Sequence, residues 1–162
     1  MNDDDPFLRA YNSALRLLSF RSRSEAELRT RLLRTFSLPE VESALARLKE
    51  QNLLDDLSFA QSWRRSRESS RPRSAFLIRR ELAAKGIPHE IADAAVIDLD
   101  DEEGAYQAGL KVTRHLEKAD FVTFRRKVWS HLRRLGFSAS VIRGTINRLW
   151  QEKKFGSDEE DV

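Results

Sequence analysis

The chain has 162 residues, of which 40% are hydrophobic and 34% charged, and its formal net charge is +3. It has no cysteine, which excludes disulfide bonds and thiolate metal sites, and its few glycines (6) and prolines (4) disfavour an all-β fold. The acidic start MNDDDPF precedes no long apolar run, so we expect a cytoplasmic protein without a signal peptide or a membrane span.

The first third of the chain predicts three helices. Apolar residues at helical spacing predict a helix over about 6–20. Ser24 and Glu27 form a capping-box pattern, which predicts a second helix that ends near Phe36. Pro39 suits the first position of a third helix.

The same order of signals follows in the middle third. Asp55 or Asp56 can cap a fourth helix, and Ser74 can cap a fifth. Gly86 then suits the left-handed residue that ends a helix, and Pro88 opens the sixth helix.

Three more helices are predicted in the last third, over about 102–117, 121–135 and 138–152. Gly136 marks the end of the second of these. No stretch of the chain shows the two-residue alternation of a β-strand.

A shift of 50 residues aligns these three sets of helices without a gap. The aligned positions are Leu28, Ile78 and Val128; Leu32, Leu82 and Leu132; Val41, Ile91 and Val141; Ala10, Ala60 and Leu110; and Ala44, Ala94 and Gly144. Gly86 aligns with Gly136, whereas the first copy has Phe36. We therefore predict an all-α fold of three tandem three-helix repeats, elongated or curved because stacked repeats share apolar faces. The predicted segments are an acidic disordered tail (1–5), repeats at 6–52, 53–99 and 100–152, and a second acidic disordered tail (153–162).

Basic side chains concentrate in the second and third repeats. Residues 63–85 hold eight basic and two acidic residues, and residues 111–154 hold twelve and three. Such segments bind phosphates or acidic protein surfaces, although a solvated helical face would have the same composition. The candidate partner-binding residues are Arg64, Arg65, Arg67, Arg71, Arg73, Arg79, Arg80, Lys85, Arg125, Arg126, Lys127, Arg133, Arg134 and Arg143.

Helical spacing places Arg64, Arg67 and Arg71 on one face, opposite Phe59 and Trp63, so we expect these arginines to face solvent. The alternative is that arginines of this repeat brace it. In that case Arg64 or Arg80 would pair with Glu68, Asp56 or Glu81.

Nothing in the sequence indicates catalysis, a cofactor or a metal site. The segment from His89 to Asp93 lacks the second histidine of a zinc-protease helix, and the cluster from Asp98 to Glu103 lacks the spacing of a calcium loop. No phosphate-binding glycine loop occurs. Trp63, Trp129 and Trp150 could stack on bases, but their spacing favours core packing.

Segments in all three repeats resemble the RecX family of regulatory proteins. They are ALRLLSFRSRSEAELRTRLL, LLDDLSFAQSWRRSR (Leu53 to Arg67), IRRELAAKGI (Ile78 to Ile87) and HLRRLGFSASVIRGTI (His131 to Ile146). The resemblance covers residues 8 to 150. It departs from the family where Phe36 precedes Ser37 and Leu38 in place of a glycine, and where Leu135 replaces a frequent basic residue.

This resemblance implies a protein that binds the RecA recombinase and its filament on single-stranded DNA, and we expect a monomer without enzymatic activity. It further implies that binding lowers the ATPase, strand-exchange and coprotease activities of RecA, and so modulates homologous recombination, DNA repair and the SOS response. We expect weak, non-specific contact with DNA as well. The alternative that the residues leave open is a free-standing DNA-binding protein of the helix-turn-helix type.

Overall fold

The computed structural model describes residues 5–158, which form nine α-helices and no strand. The all-α fold of three successive sets of three helices is thereby confirmed. The helices are α1 (Pro6–Phe20), α2 (Glu25–Leu32), α3 (Leu38–Glu50), α4 (Asp56–Ser70), α5 (Ala75–Ala84), α6 (His89–Val96), α7 (Asp101–Thr113), α8 (Phe121–Arg134) and α9 (Ala139–Asp158).

The chain forms two compact units. Unit 1 comprises the residues up to Trp63 together with Arg80–Ala95, and unit 2 comprises Arg64–Arg79 together with the residues from Val96 onward. The boundaries fall inside α4 and α5 and before the last residue of α6, so the second repeat contributes to both units. The repeat limits proposed from the sequence follow the helix order and stay a prediction.

Capping side chains begin the helices, and glycines end them, where the sequence predicts. Ser24 Oγ accepts a hydrogen bond from the N–H of Glu27 at 3.1 Å, and Glu27 in turn accepts one from the Ser24 N–H at 3.2 Å. Asp55, not Asp56, caps α4 by accepting the N–H of residue 57 at 2.9 Å. Gly86 and Gly136 have φ of 72° and 86°, the left-handed conformation that favours glycine.

The second helices of the three repeats keep the predicted register of 50 residues. Leu28, Ile78 and Val128 are each 0% exposed, and Leu32, Leu82 and Leu132 are at most 1% exposed. In unit 1, Leu28 and Leu32 pack with Ala14, Val41, Leu45, Leu48 and Leu54, and in unit 2, Val128 and Leu132 pack with Phe124, Phe137, Ile142 and Ile146. The second helix is therefore the centre of each of these cores.

The gapless register is wrong for the third helices. The equivalent buried positions are Val41, Ala92 and Ile142, so the first interval is 51 residues (92 − 41) and the second is 50 (142 − 92). The first helices deviate as well, because Ala105, rather than Leu110, is the fully buried counterpart of Ala60.

A shorter turn in the first repeat explains the offset of the third helix. The N–H of Phe36 donates to the carbonyl of Leu32, four residues earlier, at 2.9 Å. In the other two repeats Ile87 and Phe137 donate to carbonyls five residues earlier, at 3.0 and 3.3 Å. Phe36 thus corresponds to Ile87, and the glycine of the later turns has no counterpart in the first repeat.

In unit 1 the turn that ends α5 lies against the start of α2. The backbone N–H of Glu25 donates to the carboxylate of Asp56 at 2.9 Å, which satisfies one of the free donors at the start of α2. A Cβ added to Gly86 would lie 2.3 Å from the Cβ of Ala26. Carbon atoms do not approach this closely, so glycine is required here. We call this arrangement a glycine junction.

Unit 2 contains a second glycine junction, between the turn that ends α8 and the start of α5. The backbone N–H of Ala75 donates to the carboxylate of Asp101 at 2.8 Å, just as the N–H of Glu25 donates to that of Asp56. A Cβ on Gly136 would lie 2.6 Å from Ser74 Oγ and 2.8 Å from the Cβ of Leu77.

A buried serine lies at the centre of each junction. Ser24 and Ser74 are 0% and 1% exposed. Ser24 Oγ donates to the carbonyl of Lys85 at 2.5 Å, whereas the N–H of Ser74 donates to the carbonyl of Leu135 at 3.0 Å. The carbonyls of the residues that follow α5 and α8 are thus satisfied by the preceding repeat.

The third repeat differs because α8 begins one turn earlier than α2 and α5. Asp120 caps α8, so Phe124 is inside the helix at the position equivalent to Ser24 and Ser74. Phe124 is 0% exposed, and its ring lies 5.0 Å from that of Trp150. An aromatic pair therefore occupies the place where the first two repeats receive a glycine turn.

The ends of the chain also differ from the predicted tails. Helix α9 continues to Asp158, so residues 153–158, expected in a disordered tail, are helical. Asp5, also assigned to a tail, caps α1 by accepting the N–H of Phe7 at 3.0 Å. The remaining predicted tail acids, Asp3, Asp4, Glu159, Glu160 and Asp161, lie outside the described residues.

The glycine junction predicts a coupled effect of Gly86 and Ala26 on stability. Gly86→Ala should lower the free energy of unfolding by about 2–4 kcal/mol, because it adds both a left-handed alanine and a steric overlap. In a background that carries Ala26→Gly the same substitution should cost less, because only the backbone strain remains. Urea unfolding of the four proteins of this cycle measures the difference.

Gly104→Ala is the control, since its Cβ would meet the ring of Phe137 at an ordinary 3.5 Å. It should leave stability unchanged or raise it by up to about 1 kcal/mol. Equal costs of Gly86→Ala in the two backgrounds would contradict the close contact.

Candidate functional site

Arg64 is a structural brace, which corrects the expectation that it faces solvent. Its side chain is 18% exposed and forms salt bridges with Glu68, at 3.1 Å, and with Asp98. The hydrogen bond from Arg64 lowers the pKa of the Asp98 carboxyl. Glu68 is one of the acids that the sequence left open as a partner of Arg64, whereas Asp98 was not foreseen.

Lys85 and Trp63 are also engaged inside unit 1. The indole N–H of Trp63 donates to Glu81 at 2.7 Å. Lys85 Nζ lies 5.1 Å from the centre of the Trp63 ring and forms a salt bridge with Glu27 at 3.2 Å. Both side chains thus interact within unit 1, and the favoured interpretation of Trp63 as a packing residue is supported.

The other candidate arginines of the second repeat divide by exposure. Arg65, Arg71 and Arg80 are exposed, whereas Arg67, Arg73 and Arg79 are half-buried. Each of them takes part in at least one interaction within the chain, which for Arg71 is the hydrogen bond from its backbone N–H to the carbonyl of Arg67 at 3.0 Å.

The third repeat presents its basic residues to solvent. Arg125, Arg126, Lys127, Arg133 and Arg134 of α8 and Arg143 of α9 are all exposed. None of these six forms a salt bridge with an acid whose side chain the structure describes. We call these six residues the third-repeat basic surface. Its charge is available to a partner of opposite charge.

His131 reports the electrostatic potential at this surface. Its pKa is lowered from the ordinary value of 6.5, first by partial burial and then by the charges of Arg134 and Lys111. Two nearby cations thus oppose protonation of the imidazole.

Two tryptophans that could stack on bases pack against the core of unit 2. Trp129 and Trp150 are half-buried and contact its buried residues. The Trp150 ring lies 5.1 Å from that of Phe121, and Lys153 Nζ lies 4.6 Å from its centre. The packing interpretation is supported for both.

Sequence reasoning missed a basic groove in unit 1. It has a volume of about 440 Å³, and its lining includes Arg23, Arg31, Arg34 and Lys85 above the small side chains of α2 and α5. Arg31 and Arg34 are exposed and form no salt bridge with a described acid. Arg31 lies in the last turn of α2 and Arg34 in the turn that follows it, and the charge count of the later repeats drew attention away from this pair.

The acidic cluster that could be imagined as a cation site has structural roles. Asp100 caps α7 by accepting the N–H groups of Glu102 and Glu103 at 2.9 and 3.0 Å. Asp101 belongs to the second glycine junction, where burial raises the pKa of its carboxyl. Within the described part of the chain, no helix is long and apolar enough to span a membrane.

Comparison with known proteins identifies relatives along most of the chain. Residues 10–48 match the first three-helix domain of RecX, and residues 55–96 match the second. The chain is 39% identical over 150 residues to the regulatory protein RecX of Prosthecochloris aestuarii, covering 92% of this chain and 98% of that one. It is 37% identical over 139 residues to that of Chlorobium limicola, covering 85% and 87%.

Solved structures show the same fold. The crystal structure of RecX from Lactobacillus salivarius matches with a TM-score of 0.79 at 24% identity, covering 90% of this chain and 97% of that one. A second crystal structure of regulatory protein RecX matches with a TM-score of 0.76 at 28% identity, covering 88% and 74%.

The third-repeat basic surface predicts the titration of His131. Arg134→Gln should raise the pKa of His131 toward its ordinary value, because one opposing charge is removed. Since the folded-state pKa is lowered, protonation costs stability, so the free energy of unfolding should fall as the pH decreases below about 6.5. That acid loss should be smaller in the variant. NMR titration of the imidazole, with Arg143→Gln as the control, measures the pKa, and an unchanged value in Arg134→Gln would contradict this origin.

Proposed function

The chain belongs to the RecX family of regulatory proteins, and we propose that it binds the RecA recombinase and its filament on single-stranded DNA. Binding lowers the ATPase, strand-exchange and coprotease activities of RecA. In this way the protein modulates homologous recombination, DNA repair and the SOS response. It acts as a monomer in the cytoplasm, without a cofactor and without catalytic activity of its own.

The third-repeat basic surface is the observation that supports this proposal most. A nucleoprotein filament offers phosphates and acidic side chains, and exposed arginines recognise both through paired hydrogen bonds. None of the six residues of this surface forms a salt bridge with a described acid. The one described acid that they influence is Asp120, whose pKa is lowered chiefly by hydrogen bonds from Thr123 and to a smaller extent by the charge of Arg126. We assign the principal contact to these six residues, with Arg65, Arg67, Arg71, Arg73, Arg79 and Arg80 as secondary contacts and with Arg64 and Lys85 as internal braces.

A helix-turn-helix DNA-binding protein is the second candidate function. The α8–α9 pair favours it, because Gly136 and buried Phe137 form a short turn between two helices with basic residues. Such a protein would prefer one duplex sequence in the absence of RecA. A filament regulator would instead bind the RecA–DNA complex far more tightly than DNA alone.

The purified protein should suppress the DNA-dependent ATPase of RecA while hydrolysing no ATP itself. The double substitution Arg126→Ala and Arg133→Ala should weaken inhibition about tenfold or more, because charge-assisted hydrogen bonds contribute about 1.5–3 kcal/mol each. Arg9→Ala with Arg16→Ala removes the same charge from exposed positions of α1 and is the matched control. An undiminished RecA rate at saturating wild-type protein would contradict the proposed function.

Binding to DNA alone should be weak, indifferent to sequence and sensitive to salt. Neutralising about 4–6 phosphates of a single strand gives a log–log salt slope of roughly −3 to −4. Fluorescence anisotropy between low and physiological salt measures this slope. A strong preference for one duplex sequence would favour the second candidate function. A nearly flat salt slope would contradict both candidates, because each requires contacts with phosphates.

A further inference from the structure

The basic groove of unit 1 is lined by small residues as well as by cations. The small residues come from both of its sides and are Ala26 of α2, Ala83 and Ala84 of α5, and Gly86. Their short side chains leave a volume of about 440 Å³ open beside the arginines. None of the described residues that line this groove is aromatic.

Three arginines of the groove have guanidinium groups that no described acid engages. Arg31 and Arg34 form neither a salt bridge nor a side-chain hydrogen bond with a described residue. Arg23 is held in place because its Nε donates to the carbonyl of Leu17 at 3.2 Å. That hydrogen bond leaves the two amino groups of Arg23 for a ligand.

The acid that lines the groove, Glu27, is compensated within its own unit. It forms salt bridges with Arg21 and Lys85, each at 3.2 Å, and it also accepts the backbone N–H of Ser24. Because two cations already balance this carboxylate, the charge that remains for an occupant is that of the three arginines.

The second repeat has different residues at the corresponding positions of its second helix. The register of 50 residues places Phe76 at the position of Ala26 and Glu81 at that of Arg31. Glu81 accepts the indole N–H of Trp63 at 2.7 Å. A large ring and an acid thus stand where the first repeat has a methyl group and a guanidinium without an acid partner. The basic groove is therefore a property of the first repeat rather than of the repeated fold.

The last carbonyl of α5, that of Ala84, has no donor among the described residues. Pro88, four residues later, has no N–H. The N–H groups of Gly86 and Ile87 donate to carbonyls three and five residues earlier, at 2.9 and 3.0 Å. No described side chain donates to the Ala84 carbonyl either. Because Ala84 lines the groove, an acceptor is available there beside the arginine donors.

The groove therefore suits an occupant with negative groups, a hydrogen-bond donor and small apolar groups. A phosphodiester backbone has negative groups but no donor, and single-stranded nucleic acids bind through stacked aromatics, which the lining lacks. An extended peptide with acidic side chains supplies carboxylates for the arginines, backbone N–H groups for the carbonyl, and apolar carbons for the alanines. These features favour a peptide over a nucleic acid.

We propose that the basic groove of unit 1 binds an acidic peptide segment of a partner protein. Its carboxylates lie on Arg31 and Arg34, and one of its backbone N–H groups donates to the carbonyl of Ala84. None of these residues belongs to the third-repeat basic surface. The inference thus goes beyond the proposed function and does not depend on it.

A fluorescein-labelled pentapeptide, Glu-Asp-Val-Glu-Asp blocked at both ends, is the probe, and fluorescence anisotropy measures its binding. The wild-type protein should bind the neutral peptide Gln-Asn-Val-Gln-Asn about tenfold more weakly or less. Arg31→Ala with Arg34→Ala should lower the affinity for the acidic peptide about tenfold or more. Arg9→Ala with Arg16→Ala removes the same charge from exposed positions of α1 and should leave the affinity unchanged. No saturable binding by the wild-type protein, equal affinity for the two peptides, or an equal loss in the two double variants overturns the proposal.

Ala83→Glu is a second variant, which places a competing carboxylate among the arginines of the groove. Ala83 is exposed, so the thermal midpoint should change little, whereas the affinity for the acidic peptide should fall about tenfold. Ala46→Glu makes the same change at an exposed position of α3 and is the matched control, which should bind as the wild type does. An unchanged affinity in Ala83→Glu, or an equal loss in Ala46→Glu, contradicts the assignment of the groove.

An oligothymidylate with four phosphates, the same charge as the acidic peptide, tests the competing ligand class. Arg31→Ala with Arg34→Ala should weaken binding of the peptide more than binding of the oligothymidylate. An equal or greater loss of oligothymidylate binding overturns the proposal in favour of a phosphate ligand. Because none of these assays contains RecA, failure of this proposal and failure of the proposed function are measured separately.

Discussion

The close approach of a helix start to a glycine turn is the constraint on which both compact units depend. At this point an aspartate satisfies the first free donor of one helix, and a buried serine, through its hydroxyl or its N–H, satisfies the carbonyl of the residue that follows another. Neither helix could end in the interior without these partners. Positions 86 and 136 tolerate no side chain, so the junction fixes the identity of a residue as well as the packing of its neighbours.

The sequence predicted the helices and the cores well, because both follow from apolar periodicity and capping residues. It failed where one residue was missing from a turn. The alignment read Phe36 as a replacement for glycine, whereas its hydrogen bond to Leu32 shows that it corresponds to Ile87. A one-residue deletion of this kind leaves no trace in amphipathic pattern, but burial reveals it through Val41 and Ala92.

The candidate site was predicted less completely, since charge along a chain does not distinguish paired from unpaired side chains. Arg64 and Arg143 have the same sequence signal, an arginine at helical spacing on a basic helix. Arg64 is held by a salt bridge with Asp98, which is 34 residues away in the sequence. Arg143 forms no salt bridge with a described acid. The groove with Arg31 and Arg34 was missed because the acids of the first repeat lower the net charge of that segment. In the structure these acids pair with Arg21 and Arg29 and leave Arg31 and Arg34 without a salt bridge to a described acid.

The aromatic pair at the start of α8 has a consequence for how such a protein can grow. Because Phe124 and Trp150 fill the place that would receive a further glycine turn, a copy of the last repeat appended at the carboxyl end would find no surface to dock on. A duplicated second repeat inserted before residue 100 would bring both halves of a junction with it. Lengthening of this array during evolution should therefore occur by internal duplication, with the third repeat always retained as the terminal one.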